Sequence, residues 1–292
     1  MSADLLRPPV RMVLGLADLC RAAPPDLQAR VDSLVAQAAA AGVTLIDTAD
    51  AYAPRSGRFG LGEVVVRAAV RRLPAASRPV VLTKGGHTRP EGRWDTDGSF
   101  DYLLGACRAS LRRLGRDSLD LYTLHRPDPK VDFAESLDAL ASIVAAGWAR
   151  GIGLSNVSAD QIRQGREALG ESLVAVQNEL SLVNPAGLAE VRVCAEFGLA
   201  FLAWAPLGGA GVARRLGEVV PETARLASAY SCTPQQVALA WLLAVGAQVV
   251  PVVGVNRPGS LRASVRATGI DMAASDVALL TEAVTGRASA RP

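Results

Sequence analysis

Four side chains capable of acid–base chemistry follow three successive apolar runs of the sequence. Asp47 and Tyr52 follow the first run, Lys84 the second and His125 the third. An unpaired buried ammonium is costly, so Lys84 needs an anion, and Asp47 is expected to supply it. An ammonium beside Tyr52 favours the phenolate, which should lower the phenol pKa from its ordinary value near ~10. Tyr52 could then donate a proton to a developing alkoxide, while His125 donates a hydrogen bond to the same oxygen.

Each of these residues also has an ordinary structural explanation. Asp47 alone is an acid at the start of a loop, Tyr52 alone is an amphipathic residue at a rim, and His125 alone is a hydrogen-bonded rim histidine. Their occurrence at successive strand ends is what favours chemistry, because the strand-to-loop edge of an α/β barrel is where active sites lie.

Alternating strands and helices are predicted to position these residues. The predicted strands are 10–14, 43–46, 79–82, 119–124, 149–154, 173–176, 199–204 and 248–253. The predicted helices are 26–41, 60–73, 99–114, 132–146, 158–169, 185–197, 234–245 and 258–267, with a terminal helix at 275–284 and a frayed end. Eight strand–helix units predict the α/β class and a (β/α)₈ TIM barrel. No linker divides residues 1–292, so a single domain is expected, with loop 85–98 as part of a pocket lid.

Composition narrows the classes of function. The 292 residues are 50% hydrophobic and carry a net charge of +3 that is spread along the chain, which argues against nucleic acid as a partner. No apolar run approaches the ~20 residues of a membrane span, and Met1–Arg11 lacks a signal-peptide pattern. The four cysteines (Cys20, Cys107, Cys194 and Cys232) lie far apart. They are expected to be reduced and buried in a cytoplasmic protein, and no metal cluster or flavin signature is present.

Six segments together carry a resemblance to a known family. They are Asp47-Thr48-Ala49-x-x-Tyr52, Leu82-Thr83-Lys84-Gly85-Gly86, Asp120-Leu121-Tyr122-x-Leu124-His125-Arg126, Gly151-Ile152-Gly153-Leu154-Ser155-Asn156, Val176-Gln177-Asn178-Glu179 and Trp204-Ala205-Pro206-Leu207. In this order the chain resembles the aldo-keto reductase family. The resemblance implies that Tyr52 is the general acid–base, that Lys84 and Asp47 tune it, and that His125 orients the carbonyl of a small-molecule substrate.

The resemblance also implies a nicotinamide cofactor across the barrel mouth, although a Rossmann Gly-x-Gly-x-x-Gly is missing. By resemblance, Ser155, Asn156 and Gln177 hydrogen-bond the carboxamide and Trp204 stacks on the nicotinamide ring. The residue types agree independently, because side-chain amides and hydroxyls suit an amide ligand. Taken singly, however, Asn156 or Gln177 is equally a residue that makes a hydrogen bond within its loop.

The cofactor phosphates are expected near two glycine-containing segments. Leu207, Gly208 and Gly209 would let the backbone approach the pyrophosphate, and Ala205 is also expected to bind the cofactor. Gly254 and Arg257 follow the last strand, in the region of a barrel that favours phosphate. Arg257 favours NADPH over NADH, with a solvated arginine as the alternative.

The sequence departs from the family at three places. Ala53 stands where the family usually has glycine, and Ala263-Ser264 replaces the Glu-Asn pair that contacts adenine. An N-terminal hairpin that closes the barrel bottom is not recognisable before Val10.

The sequence does not identify the substrate, and it leaves two classes of function open. Loop 89–94 and segment 125–129 resemble a bacterial group related to pyridoxal/pyridoxine reductases, and Trp94 is expected to form a pocket wall or, alternatively, to be a surface residue. Deoxysugar and polyketide carbonyls are equally compatible. An NADPH-dependent reductase of aldehydes or ketones is the main hypothesis, and a cofactor-binding sensor with little turnover is the alternative.

Overall fold

The computed structural model describes Leu6, Pro8 and residues 10–289, with side chains to residue 286. Its strands are β1 (Val13–Gly15), β2 (Leu45–Asp47), β3 (Val80–Gly85), β4 (His87–Thr88), β5 (Asp95–Thr96), β6 (Leu121–Leu124), β7 (Ile152–Ser155), β8 (Leu173–Glu179), β9 (Ala200–Trp204) and β10 (Val249–Gly254). Its α-helices are α1 (Ala17–Ala22), α2 (Leu27–Ala40), α3 (Leu61–Arg71), α4 (Phe100–Leu114), α5 (Phe133–Ala145), α6 (Ala159–Leu169), α7 (Leu188–Glu196), α8 (Gly209–Arg214), α9 (Leu216–Val219), α10 (Pro221–Ala229), α11 (Pro234–Ala244), α12 (Pro258–Ala267) and α13 (Ala274–Ser289).

Eight parallel strands close into a barrel in the order β1-β10-β9-β8-β7-β6-β3-β2. The predicted (β/α)₈ architecture is confirmed. Successive parallel strands joined by helices bring every strand's carboxyl end to one face, which is the face that carries active sites in this fold. Asp47 therefore lies beside Leu82 of the neighbouring strand, and Lys84 beside Thr123.

Two apolar cores hold the barrel together. The larger one fills the space between the strands and the surrounding helices. The smaller one fills the barrel interior and contains Leu6, whose side chain is fully buried among strand residues. This leucine contributes apolar packing to the barrel interior, although no closing hairpin was recognisable in the sequence before Val10. The other predictions for Met1–Arg11 rest in part on residues that the structure does not describe.

Six of the eight barrel strands end later than the sequence pattern predicted, while β6 and β9 end where predicted, and the difference matters for the site. Asp47 is the last residue of β2 rather than the first of a loop, Lys84 lies within β3, and Ser155 ends β7. Gln177 lies within β8, paired with Ser155. These polar residues follow the apolar runs, but their backbones still belong to strands of the sheet. Hydrogen bonds to the neighbouring strands therefore hold their backbones in fixed positions.

Other elements were not predicted from sequence. The loop expected at 85–98 contains the β4–β5 hairpin, and α1, α8, α9 and α10 were not predicted; α1, α8 and α9 each have six residues or fewer. Helix α13 runs five residues beyond its predicted end, and residues 290–292, whose fraying was expected, lie outside the described residues. Cys20, Cys107 and Cys194 are free and buried as predicted, whereas Cys232 is only partly buried. Among the described helices, none is long and apolar enough to cross a bilayer.

Candidate active site

The carboxyl ends of β2 and β3 carry a buried Asp47–Lys84–Tyr52 cluster. The Lys84 ammonium donates to both carboxylate oxygens of Asp47, at 2.6 and 2.7 Å, which confirms the predicted ion pair. It also donates to the Tyr52 hydroxyl at 3.1 Å and to the Thr48 carbonyl at 3.0 Å. Lys84 is 1% exposed and Asp47 is 2% exposed, so this charge pair is held in a low-dielectric environment where its geometry is rigidly enforced.

The predicted direction of the Tyr52 pKa was wrong. Burial has the largest influence and raises the pKa of the phenol; Lys84 lowers it, and Asp47 raises it again. Sequence alone shows the cation but not the degree of burial, and burial favours the neutral phenol. The pKa of Lys84 is also raised: burial lowers it, but the charge and hydrogen bonds of Asp47 and Tyr52 outweigh that effect. Tyr52 is therefore a protonated phenol beside a fixed cation at neutral pH.

His125 follows β6 and packs edge-on against the Tyr52 ring, with ring centroids 5.6 Å apart. Its Nδ1 atom is buried and has no hydrogen-bond partner among the residues that the structure describes. Burial lowers the pKa of this imidazole well below its ordinary value, and Lys84, His87 and Arg126 add to the effect. A neutral imidazole beside Tyr52 can donate a hydrogen bond to a substrate oxygen without competing as the proton source.

Ser155, Asn156 and Gln177 form one hydrogen-bonded cluster at the ends of β7 and β8. The Asn156 side-chain amide donates to the His125 backbone carbonyl at 2.9 Å and to Ser155 Oγ at 3.0 Å. Ser155 Oγ in turn donates to the Gln177 backbone carbonyl at 2.7 Å. The Gln177 amide reaches across the barrel and donates to Asp47 Oδ1 at 2.9 Å. Both N–H groups of the Asn156 side-chain amide are therefore used within the protein, whereas the Gln177 side-chain amide makes one such bond, to Asp47. For a ligand, Asn156 and Gln177 retain their side-chain carbonyl oxygens, which accept hydrogen bonds, and Gln177 also retains one N–H donor.

The segment after β9 has an unusual backbone. Ala205 has φ of 48° and Asn156 has φ of 58°, in the left-handed region that non-glycine residues rarely adopt. Trp204 is partly buried and its indole Nε1 is buried without a partner. Gly208 and Gly209 also have positive φ. Left-handed alanine costs free energy, and such outliers are concentrated at ligand sites.

The segment after β10 is open to solvent. Gly254 ends the strand next to Gly15 of β1, and the nearest atom to a side chain placed there would be an Asp18 carboxylate oxygen at 3.7 Å. Arg257 is exposed at the start of α12, and its Nε donates to Ser260 Oγ at 3.1 Å. Leu207, which follows the neighbouring strand β9, is partly buried.

Two of the three sequence departures have a structural account. Ala53 does not have positive φ, so alanine takes this backbone without strain. Ala263 and Ser264 are engaged within the protein, because the Ala263 carbonyl accepts from Gln236 and Ser264 Oγ donates to the Ser260 carbonyl.

The β4–β5 hairpin adds two residues that sequence reasoning missed, His87 and Arg89. The His87 ring lies 4.3 Å from that of His125 and 5.0 Å from that of Trp94, and the Arg89 guanidinium stacks 4.1 Å over Trp94. Trp94, the expected pocket wall, is thus next to the site but 46% exposed. The signal available in the sequence was scarcity, since His87 is one of only two histidines.

These features fit a nicotinamide group. Among the described residues, the side-chain carbonyl oxygens of Asn156 and Gln177 have no hydrogen-bond partner. Trp204 ends β9, the strand that pairs with β8, and the backbone at Asn156 and Ala205 is held in a left-handed conformation. Among the described side chains, no cluster of three or more histidine, cysteine or acidic residues could hold a metal ion.

Comparison with known proteins decides the family. A sequence model of the Aldo/keto reductase family matches residues 11–285. The chain belongs to the aldo/keto reductase family. Members of this family are oxidoreductases that act on small molecules with nicotinamide cofactors, and this chain shares their barrel.

Individual relatives of this aldo/keto reductase are distant but match most of its length. A 6-dehydroglucose reductase of Agrobacterium fabrum is 29% identical over 281 residues, covering 90% of each chain. An uncharacterized oxidoreductase of Schizosaccharomyces pombe is 30% identical over 241 residues, covering 82% of this chain and 74% of the other. The crystal structure of a glycerol dehydrogenase from Gluconobacter oxydans superposes with a TM-score of 0.81 at 22% identity, covering 97% and 93% of the two chains, and shows the shared fold.

Proposed function

We propose that this aldo/keto reductase reduces an aldehyde or ketone to the alcohol with NADPH, and that Tyr52 supplies the proton. The observation that carries the proposal is the buried hydrogen-bonded chain from Asp47 through Lys84 to Tyr52, with the neutral His125 packed against the phenol. The 6-dehydroglucose reductase of Agrobacterium fabrum is consistent with a carbonyl substrate. We also propose that residues 1–292 act as one domain in the cytoplasm, without nucleic acid or a membrane as partner.

In this proposal the residues divide the work of proton transfer. His125 holds the substrate oxygen near the Tyr52 hydroxyl, and the phenol donates its proton as negative charge develops on that oxygen. Lys84 stabilises the phenolate that remains, and Asp47 together with Gln177 holds Lys84 in place. When bound, the nicotinamide cofactor supplies the hydride.

The residues proposed to hold the cofactor fall into two groups. Asn156 and Gln177 would accept hydrogen bonds from the carboxamide through the carbonyl oxygens that they leave free, with Ser155 holding Asn156 in position. Trp204 and Ala205 would border the ring.

A second group would hold the phosphates. We assign Leu207 and Gly209 to the pyrophosphate and Gly254 and Arg257 to the adenosine phosphate. Arg257 is the basis for preferring NADPH, because its side chain is open to solvent and, among the described residues, bonds Ser260 alone.

Arg257→Ala should weaken NADPH binding and leave NADH binding nearly unchanged. A hydrogen bond to a charged group contributes about 1.5–3 kcal/mol, and the exposure of Arg257 favours the lower end, about tenfold in Kd. Titration of both cofactors by fluorescence measures the difference. Arg266→Ala, at the other end of α12, is the matched control and should change neither affinity. An equal loss for NADPH and NADH would remove Arg257 as the phosphate ligand.

The proposed function is tested by turnover of a panel of aldehydes and ketones, pyridoxal included. NADPH consumption that depends on both carbonyl and protein supports it. NADPH binding without consumption on any carbonyl would favour the sensor.

A further inference from the structure

Tyr52 lies in a loop between β2 and α3, so the position of its backbone depends on hydrogen bonds from other parts of the protein. The backbone carbonyls of the four consecutive residues 50–53, Tyr52 included, all accept hydrogen bonds from other parts of the protein. The Asp50 and Tyr52 carbonyls accept from the backbone amides of Gly60 and Gly62, at 2.6 and 3.0 Å. These two bonds fix one side of the loop to the start of α3.

The other side is held by a single side chain. Arg89 Nη1 donates to the Ala51 carbonyl at 3.2 Å and to the Ala53 carbonyl at 3.3 Å, which are the residues immediately before and after Tyr52. Ala51 is fully buried and Ala53 is 4% exposed. The Ala51 carbonyl also accepts from the Ala53 backbone amide at 3.0 Å, so removing the guanidinium would leave the Ala53 carbonyl short of a donor, which is unfavourable enough to move the loop.

The guanidinium is itself held within the β4–β5 hairpin. Its Nε and Nη2 donate to the Gly92 carbonyl, at 3.3 and 2.9 Å. Trp94 covers its face at 4.1 Å, and the same ring packs edge-on against His87. A planar group with several donors in fixed directions can bond both neighbours of Tyr52 and its own hairpin at once, which an ammonium cannot.

We propose that Arg89 is a positioning residue for Tyr52: from the hairpin it fixes the backbone on both sides of the phenol and so sets where the hydroxyl stands relative to Lys84 and His125. This inference rests on the proposed function of Tyr52. It also gives Trp94 a role, as the cover that keeps the guanidinium in its plane. Within the described part of the chain, the Arg89 guanidinium donates hydrogen bonds to the backbone carbonyls of Ala51, Ala53 and Gly92, so it acts through the backbone.

Steady-state kinetics of Arg89→Gln test the proposal. A displacement of about 1 Å at a reacting group can cost on the order of 10²-fold, so kcat should fall by about that factor while the Kd for NADPH stays unchanged. Arg89→Lys keeps the charge but not the planar fork, and it should not restore kcat. The matched control is Arg93→Gln, which removes an exposed hairpin arginine paired only with the exposed Glu91 and should behave as wild type.

A Tyr52→Phe background separates positioning from general damage. If Arg89 acts only through Tyr52, Arg89→Gln should not lower kcat further once the Tyr52 hydroxyl is absent, because the two changes remove the same contribution to catalysis. A wild-type kcat in Arg89→Gln would overturn the proposal. So would a fall in kcat on adding Arg89→Gln to Tyr52→Phe that is as large as its fall in the wild-type protein.

An NMR measurement keeps the inference distinct from the proposed reaction. With ¹³C-labelled tyrosine, the Tyr52 ring resonance, assigned by its absence in Tyr52→Phe, should shift in Arg89→Gln and not in Arg93→Gln, whether or not any carbonyl is turned over. An unshifted resonance would overturn the inference, whereas absent wild-type turnover with a shifted resonance would count against the proposed function alone.

Discussion

Tyr52→Phe should lower kcat by about 10²–10⁴-fold, the contribution of a positioned general acid. The change removes only the hydroxyl, which bonds Lys84 Nζ, and leaves the ring packed against His125. Cofactor affinity should therefore stay nearly constant. Single-turnover kinetics with saturating NADPH, alongside a cofactor titration, measure the two quantities separately. A variant that reduces its best aldehyde at the wild-type rate would remove Tyr52 as the acid.

The pH dependence of the wild-type protein follows from the same phenol. Reduction needs the protonated form, and burial raises the phenol pKa above its ordinary value. The rate of reduction should therefore be level through neutral pH and fall only as pH rises through that raised pKa. A fall between neutrality and mildly alkaline pH would mean that another group donates the proton.

Lys84→Met should remove most of the activity and also destabilise the fold. Its ammonium bonds both oxygens of Asp47, so removing it leaves a buried carboxylate without its cation, which costs about 3–5 kcal/mol. Lys84 lowers the pKa of Tyr52 and Asp47 raises it, so the phenol pKa should rise further in this variant. The expected loss of kcat is on the order of 10²-fold or more.

The double variant Asp47→Asn, Lys84→Met separates the two effects. Replacing the carboxylate by an amide removes the unpaired charge and retains an oxygen that can accept from Gln177. Urea unfolding should show recovery of much of the lost stability, while kcat stays low. If kcat recovered together with stability, Lys84 would be only a structural partner of Asp47.

The sequence predicts those parts of the site that depend on order along the chain. Eight apolar runs separated by helices indicate the barrel, and the parallel arrangement brings Asp47 beside Lys84. The pairing of these two residues was predictable because they end neighbouring strands.

Contacts across the barrel were not predictable in the same way. Gln177 and Asp47 are 130 residues apart and lie on opposite strands of the closed sheet. A local pattern does not show that a side-chain amide spans the interior. Likewise, the hairpin turns a polar loop into the element that brings His87 and Arg89 to the site.

The shift of the Tyr52 pKa was predicted from the sequence with the wrong sign. The cation beside Tyr52 is visible in the sequence, but the pKa of the phenol is set first by its burial. Burial depends on how loops fold over the barrel mouth, and the residue types alone do not report it.

The most direct measurement of the central claim is deuterium transfer to a carbonyl compound from NADPH in which both hydrogens at the nicotinamide C4 position are replaced by deuterium. We expect the alcohol formed from the best aldehyde of the panel to carry deuterium on the former carbonyl carbon, and we expect Tyr52→Phe, with cofactor affinity intact, to form that product at least about 10²-fold more slowly. NADPH bound with full affinity, but with no deuterium in any alcohol, would contradict the account.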